Sequence, residues 1–117
     1  MVPQGTEIII GMMQDPHFGP VIMFGLGGIF VEILKDISFR ILPLEERDAE
    51  EMISEIKGYQ ILKGIRGETP KDVKSIRDVL MKISQLVIEN PEIKEIDLNP
   101  IFVFNEGLQV VDARIIL

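Results

Sequence analysis

Val73, Ile76, Val79, Leu80, Ile83, Leu86 and Val87 recur at the spacing of one face of an α-helix. The apolar face runs on to Ile88, and Asn90-Pro91 stops it. A face this wide must cover a sheet, so it reads as core and not as a cofactor box. The start of the helix is expected at Thr69-Pro70-Lys71-Asp72. Thr69 would be the N-cap, Pro70 the first helical residue and Asp72 the carboxylate of a capping-box variant.

The strands such a helix needs lie on both sides of it. Residues 6–13 form an apolar strand candidate broken by Gly11, and residues 21–24, 30–34 and 38–42 form three more. Residues 45–57 read as a second helix, with Ala49, Met52, Ile53 and Ile56 on one side and acidic residues in its first turns. Lys57-Gly58 closes it. Residue 91 onward leads to a final hairpin turning near Asn105-Glu106-Gly107. The order β-β-β-β-α-α-β-β gives an α+β class: a mainly antiparallel sheet covered by two helices. A chain of 117 residues fits one domain, residues 1–117.

Composition excludes several functions. There is no cysteine, so disulfide and thiolate chemistry are absent and an intracellular, cytoplasmic location is the default expectation. The net charge of −7 argues against a general nucleic-acid binder. It does not exclude ATP, because local cations, backbone N–H groups and a metal hold phosphates in acidic proteins. No apolar run approaches the roughly 18 residues of a membrane span, so no membrane partner is expected.

Chemistry-bearing residues concentrate at the end of the chain. If the hairpin turn holds an even number of residues, Asn99, Ile101, Val103, Val110, Asp112 and Arg114 share a face. Asn99 and Asp112 would then place an amide oxygen beside a carboxylate at the sheet rim, a donor pair suited to Mg²⁺. The alternative is a strand end whose polar residues meet water. Glu7 is either a solvated strand end or a carboxylate turned into a site. Gly25-Leu26-Gly27-Gly28 either presents N–H groups to phosphate or forms a tight turn. It is neither a Walker A loop nor a Rossmann fingerprint. Arg66, between Gly64 and Gly67, is either an anion contact or a surface residue. His17, the single histidine, has no triad partner nearby and reads as exposed.

Six segments then fall in order: Thr6-Glu7-Ile8-Ile9-Ile10-Gly11, Asp15-Pro16-His17-Phe18-Gly19-Pro20, Phe24-Gly25-Leu26-Gly27-Gly28-Ile29-Phe30-Val31-Glu32, Leu62-Lys63-Gly64-Ile65-Arg66-Gly67, Asp97-Leu98-Asn99-Pro100 and Val111-Asp112-Ala113-Arg114. Together they resemble the C-terminal half of the ATP-grasp domain of ADP-forming acyl-CoA (acetyl-CoA) synthetase β subunits. Succinyl-CoA synthetase β chains are more distantly similar. The resemblance implies a ligase reaction, acyl-CoA + ADP + phosphate ⇌ acid + CoA + ATP, passing through an acyl phosphate and a phosphohistidine on a mobile loop. It implies ATP/ADP and Mg²⁺ as cofactors. On it, Asn99 and Asp112 bind the metal, and Asp97 is a second ligand or an outer-shell group. Glu7 matches an acid near the nucleotide pocket, Gly27 and Gly28 match a glycine pair on the phosphate side, and Arg66 is a candidate phosphate contact.

The same resemblance implies partners. The first half of the ATP-grasp domain and the CoA-binding subunit, with its swinging histidine, lie outside this sequence, and His17 does not take that role. The start at Met1-Val2-Pro3-Gln4-Gly5 enters the family pattern abruptly, as is expected of a truncated or separately encoded chain. The isolated chain is expected not to catalyse the full reaction, and to self-associate through apolar surface that the other half would cover. The alternative function is a non-catalytic binding or assembly module that keeps the fold.

Overall fold

The computed structural model describes residues 5–27, 36–64, 67 and 69–117. The order is β1 (Thr6–Asp15), β2 (Gly19–Leu26), β3 (Ile37–Ile41), α1 (Glu46–Glu55), α2 (Tyr59–Lys63), α3 (Val73–Glu89), β4 (Glu95–Val103), β5 (Leu108–Val110) and β6 (Ala113–Ile116). The sheet is antiparallel throughout, in the order β3-β2-β1-β4-β5, with β6 pairing further along β4. The α+β architecture is as expected. The expected strand 30–34, and Gly28 and Arg66, lie outside the described residues.

Period-two alternation decides which face is covered. Ile8, Ile10 and Met12 of β1 and Ile22, Phe24 and Leu26 of β2 all point to one core. Ala49, Met52 and Ile53 of α1, Leu62 of α2, and Ile76, Leu80, Ile83 and Val87 of α3 close it from above. Each such side chain contributes about 1.5–3 kcal/mol when fully buried. The helices therefore sit on one face of the sheet, and among the described residues no helix covers the other, the open face. β1 runs unbroken through Gly11, which pairs with Met23 of β2 and Asp97 of β4.

Four local expectations are corrected. Helix α3 begins at Val73 with Asp72 as N-cap, not at Thr69. The Asp72 carboxylate accepts the Ser75 N–H at 3.1 Å, while the N–H groups of Lys71 and Asp72 donate to Leu62 and Phe104, holding that stretch outside the helix. The apolar stripe of α3 is also narrower than its sequence: Leu86 and Ile88 are 40% and 50% exposed. Steps of three and four from Ile76 reach Leu80, Ile83 and Val87, and the two outliers fall beside that line. Residues 45–57 hold a shorter helix, because the buried Asp36 carboxylate takes the N–H groups of Lys57 and Gly58, each at 2.5 Å. Gly58 has φ −77°, so it is not a left-handed cap; a Cβ there would collide with Leu26. The fourth correction is α2, a five-residue helix that residues 59–62 did not announce.

Polar contacts join the layers. Ser38 Oγ donates to the Met52 carbonyl at 2.7 Å, and Ser84 Oγ accepts the buried Leu44 N–H at 2.8 Å. Arg40 of β3 makes a two-pronged pair with Glu55 of α1, at 2.9 and 3.1 Å. That pair holds the Glu55 carboxyl below its usual range. Among the described residues no helix is long and apolar enough to cross a membrane.

Candidate functional site

The closing hairpin is built as an even-length turn requires. Val103 pairs with Leu108, leaving the four residues 104–107 in the turn. Gly107 takes φ +78°, Phe104 N–H donates to its carbonyl at 2.9 Å, and Asp72 Oδ2 accepts its N–H at 2.6 Å. The same register continues through Leu98↔Ala113 and Asp97↔Arg114. Between these stretches the Asn99 N–H donates to the Asp112 carbonyl at 3.2 Å. Asn99 and Asp112 therefore stand opposite each other.

One part of the sequence reading fails here. Asn99 does not share a face with Ile101 and Val103. Against β1, the single residue Ile9 is matched by two residues of β4, Asn99 and Pro100, as Ile8↔Ile101 and Ile10↔Leu98 show. This bulge shifts the alternation by one residue. Before it Ile96 is buried and Glu95, Asp97 and Asn99 are exposed; after it Ile101 and Val103 are the buried ones. The effect is to keep both ends of β4 packed on the helices while Asp97 and Asn99 emerge on the open face.

On that face the remaining candidates fall into order. Glu7 pairs with Phe102, and Gly27 N–H donates to the Glu7 carbonyl at 2.9 Å, so Glu7 and Gly27 are neighbours. Asp97 pairs with Gly11. From Glu7 to Ile9, which is level with Asn99, is two residues of strand, roughly 7 Å, and to Gly11, level with Asp97, four residues, roughly 13 Å. Glu7 with Gly27, the Asn99–Asp112 pair and Asp97 thus follow one another along one face. Gly11, read from sequence only as a strand break, floors a depression of about 230 Å³ walled by Met13, Met23, Phe39 and Asp97. Its lack of a side chain was the signal. His17 lies exposed in the β1–β2 turn, at the far end of β1 from Glu7, where Asp15 Oδ1 accepts its N–H at 2.8 Å.

Among the described residues, no group of three or more His, Cys, Asp and Glu side chains converges as a metal site. The donor set is instead one amide oxygen and one carboxylate, with Asp97 adjacent. Such a set fits Mg²⁺, which is commonly held by one or two protein carboxylates and completed by water and phosphate oxygens.

Comparisons with known proteins agree with this architecture. The β subunit of acetate–CoA ligase [ADP-forming] I from Pyrococcus furiosus is 57% identical over 117 residues, covering all of this chain and 50% of that protein. The corresponding II subunit β from the same organism is 60% identical over 120 residues, covering 51% of its length. The chain thus spans about half the length of these curated relatives. A solved structure of Ca. Korarchaeum cryptofilum dinucleotide-forming acetyl-coenzyme A synthetase 1 superposes with TM-score 0.92 at 53% identity, covering all of this chain and 55% of that one. That structure holds coenzyme A and Mg-AMPPCP, with its phosphohistidine segment pointing towards the nucleotide-binding site. The ATP-grasp domain model matches residues 1–117 throughout, and the chain belongs to the ATP-grasp family.

Proposed function

We propose that this chain is the Mg²⁺-nucleotide part of an ADP-forming acyl-CoA synthetase, the C-terminal half of its ATP-grasp domain. Asn99 and Asp112 hold the metal, with Asp97 as a second ligand or an outer-shell group. Glu7, Gly27 and Gly28 line the nucleotide, and Arg66 is a phosphate contact. The observation that carries the reading is the opposition of Asn99 and Asp112 on the uncovered face. Bound there, Mg²⁺ offsets charge on the phosphate oxygens during transfer.

The chain's own residues bind and orient. Asn99 and Asp112 fix oxygens midway along β4. Glu7, with Gly27 beside its carboxylate, stands two strand residues, roughly 7 Å, further along the same face. Positioning and electrostatics dominate such a site, since the phosphates form no covalent bond to it. Water must be excluded for full strength, and among the described residues no helix covers this face. Met13, Phe39 and Ile41 are 58%, 50% and 52% exposed on it, which supports a second body closing over it. That body is the other half of the domain, and the CoA-binding subunit completes the enzyme. Alone, the chain does not synthesise acyl-CoA and tends to self-associate.

Calorimetric titration with ADP, with and without Mg²⁺, tests the reading. Binding should require Mg²⁺, and Asp112→Asn should weaken it by at least the roughly 10- to 100-fold that follows loss of an outer-shell partner. No binding, even with the missing half supplied in trans, would favour a non-catalytic assembly module.

A further inference from the structure

We infer that Arg114, an exposed cation opposite Asp97 in the β4–β6 ladder, contacts the terminal phosphate of the metal-bound nucleotide. The inference rests on the metal reading of Asn99 and Asp112 and adds a residue to it. Arg114 is the direct partner of Asp97 in the β4–β6 ladder, so the two side chains leave the same face of the sheet. Asp97 lines the open-face depression at Gly11, which fixes that face as the open one. Asp112, opposite Asn99, lies two residues before Arg114, roughly 7 Å along the strand. An extended arginine side chain spans that interval.

Charge gives the site a need for this cation. Glu95, Asp97 and Asp112 are all exposed along this stretch. A divalent ion offsets two of their charges, and Arg114 offsets the third before any phosphate arrives. Arg114 is itself exposed, and among the described residues it forms no ion pair, not even with Asp97 opposite it, so its guanidinium is available to a phosphate. Planar guanidinium donors suit a phosphate better than a point charge does.

The test uses Mn²⁺ as a paramagnetic stand-in for Mg²⁺ on the 117-residue chain, with ADP and AMP as probes. Arg114→Gln should not lower Mn²⁺ affinity, should leave the thermal midpoint unchanged and should weaken Mn²⁺-dependent ADP binding about tenfold. AMP, which lacks the terminal phosphate, should bind both proteins alike. Arg114→Lys should fall between. The inference is overturned if Arg114→Gln keeps its ADP affinity, loses ADP and AMP equally, or if the wild type binds Mn²⁺ but no ADP. Failure of the wild type to bind Mn²⁺ removes the metal reading first and the role of Arg114 with it.

Discussion

The carboxylate of Glu7 lies across Gly27. A Cβ built on Gly27 would sit 2.7 Å from Glu7 Oε2 and 2.7 Å from its Cγ. The main chains approach equally closely through the Gly27 N–H to Glu7 carbonyl bond. Gly27 is not in the left-handed region, so what this position requires is space for a carboxylate.

Gly27→Ala should therefore act through Glu7. Because the crowded atoms are the end of a flexible side chain, the stability cost should stay below about 1 kcal/mol in urea denaturation. In a Glu7→Ala background the cost should disappear, giving a coupling of at least about 0.5 kcal/mol. Additive effects would show that the two residues do not share the space.

Two other glycines should separate packing from backbone strain. Gly58 has an ordinary φ, but a Cβ there meets the buried Leu26 and stands 3.0 Å from Asp36 Oδ2. Gly58→Ala should cost about 1–3 kcal/mol by overpacking. Gly19 has φ +78° and nothing within 4 Å of its added Cβ. Gly19→Ala should cost about 1–2 kcal/mol by strain alone, and Gly19→Asn less, since Asn tolerates that region. Equilibrium unfolding of the three variants checks both assignments.

Asp72 ties the start of α3 to the hairpin turn. The Gly107 N–H first, and then Ser75, hold its carboxyl below the usual aspartate range. A depressed folded-state pKa stabilises the fold above the unfolded pKa, about 3.9 for Asp. That contribution is lost as pH falls through the lower, folded-state value. Asp72→Ala should cost about 0.5–2 kcal/mol at neutral pH, and the gap from wild type should narrow below about pH 4. Urea unfolding at a series of pH values reads this directly; a gap that widens on acidification would contradict it.

Ser84→Ala should strand the Leu44 N–H, which is buried and bonded to Ser84 Oγ. Leaving such a donor unsatisfied costs about 1–3 kcal/mol. Ser84→Thr keeps the hydroxyl and should recover part of the loss in thermal unfolding.

Much of the fold was legible because it rests on periodicity. The alternation in 6–13 and 21–24 and the three-and-four spacing from Ile76 to Val87 identify strands and helix without knowledge of their neighbours. The pairing of Asn99 with Asp112 was legible only on the condition of an even-length turn, because turn parity sets the register of a hairpin and the sequence left that parity open. Leu86 and Ile88 misled for the opposite reason: an apolar residue near the stripe looks like core until the width of the sheet beneath it is known.

The sequence by itself determined an α+β chain, the ATP-grasp resemblance, and the residues able to carry oxygen ligands. Only the tertiary structure decided which face those residues occupy. The face of Asn99 depends on a bulge that forms because β1 and β4 must both pack on the helices, with one residue of β1 matched to two of β4. The cap of α3 was settled the same way, by Leu62 and Phe104, which draw the chain before Val73 out of helical geometry. The room at Gly27 belongs to Glu7, twenty residues earlier in the chain. Each of these contacts joins segments far apart in sequence, and local propensity holds no record of them.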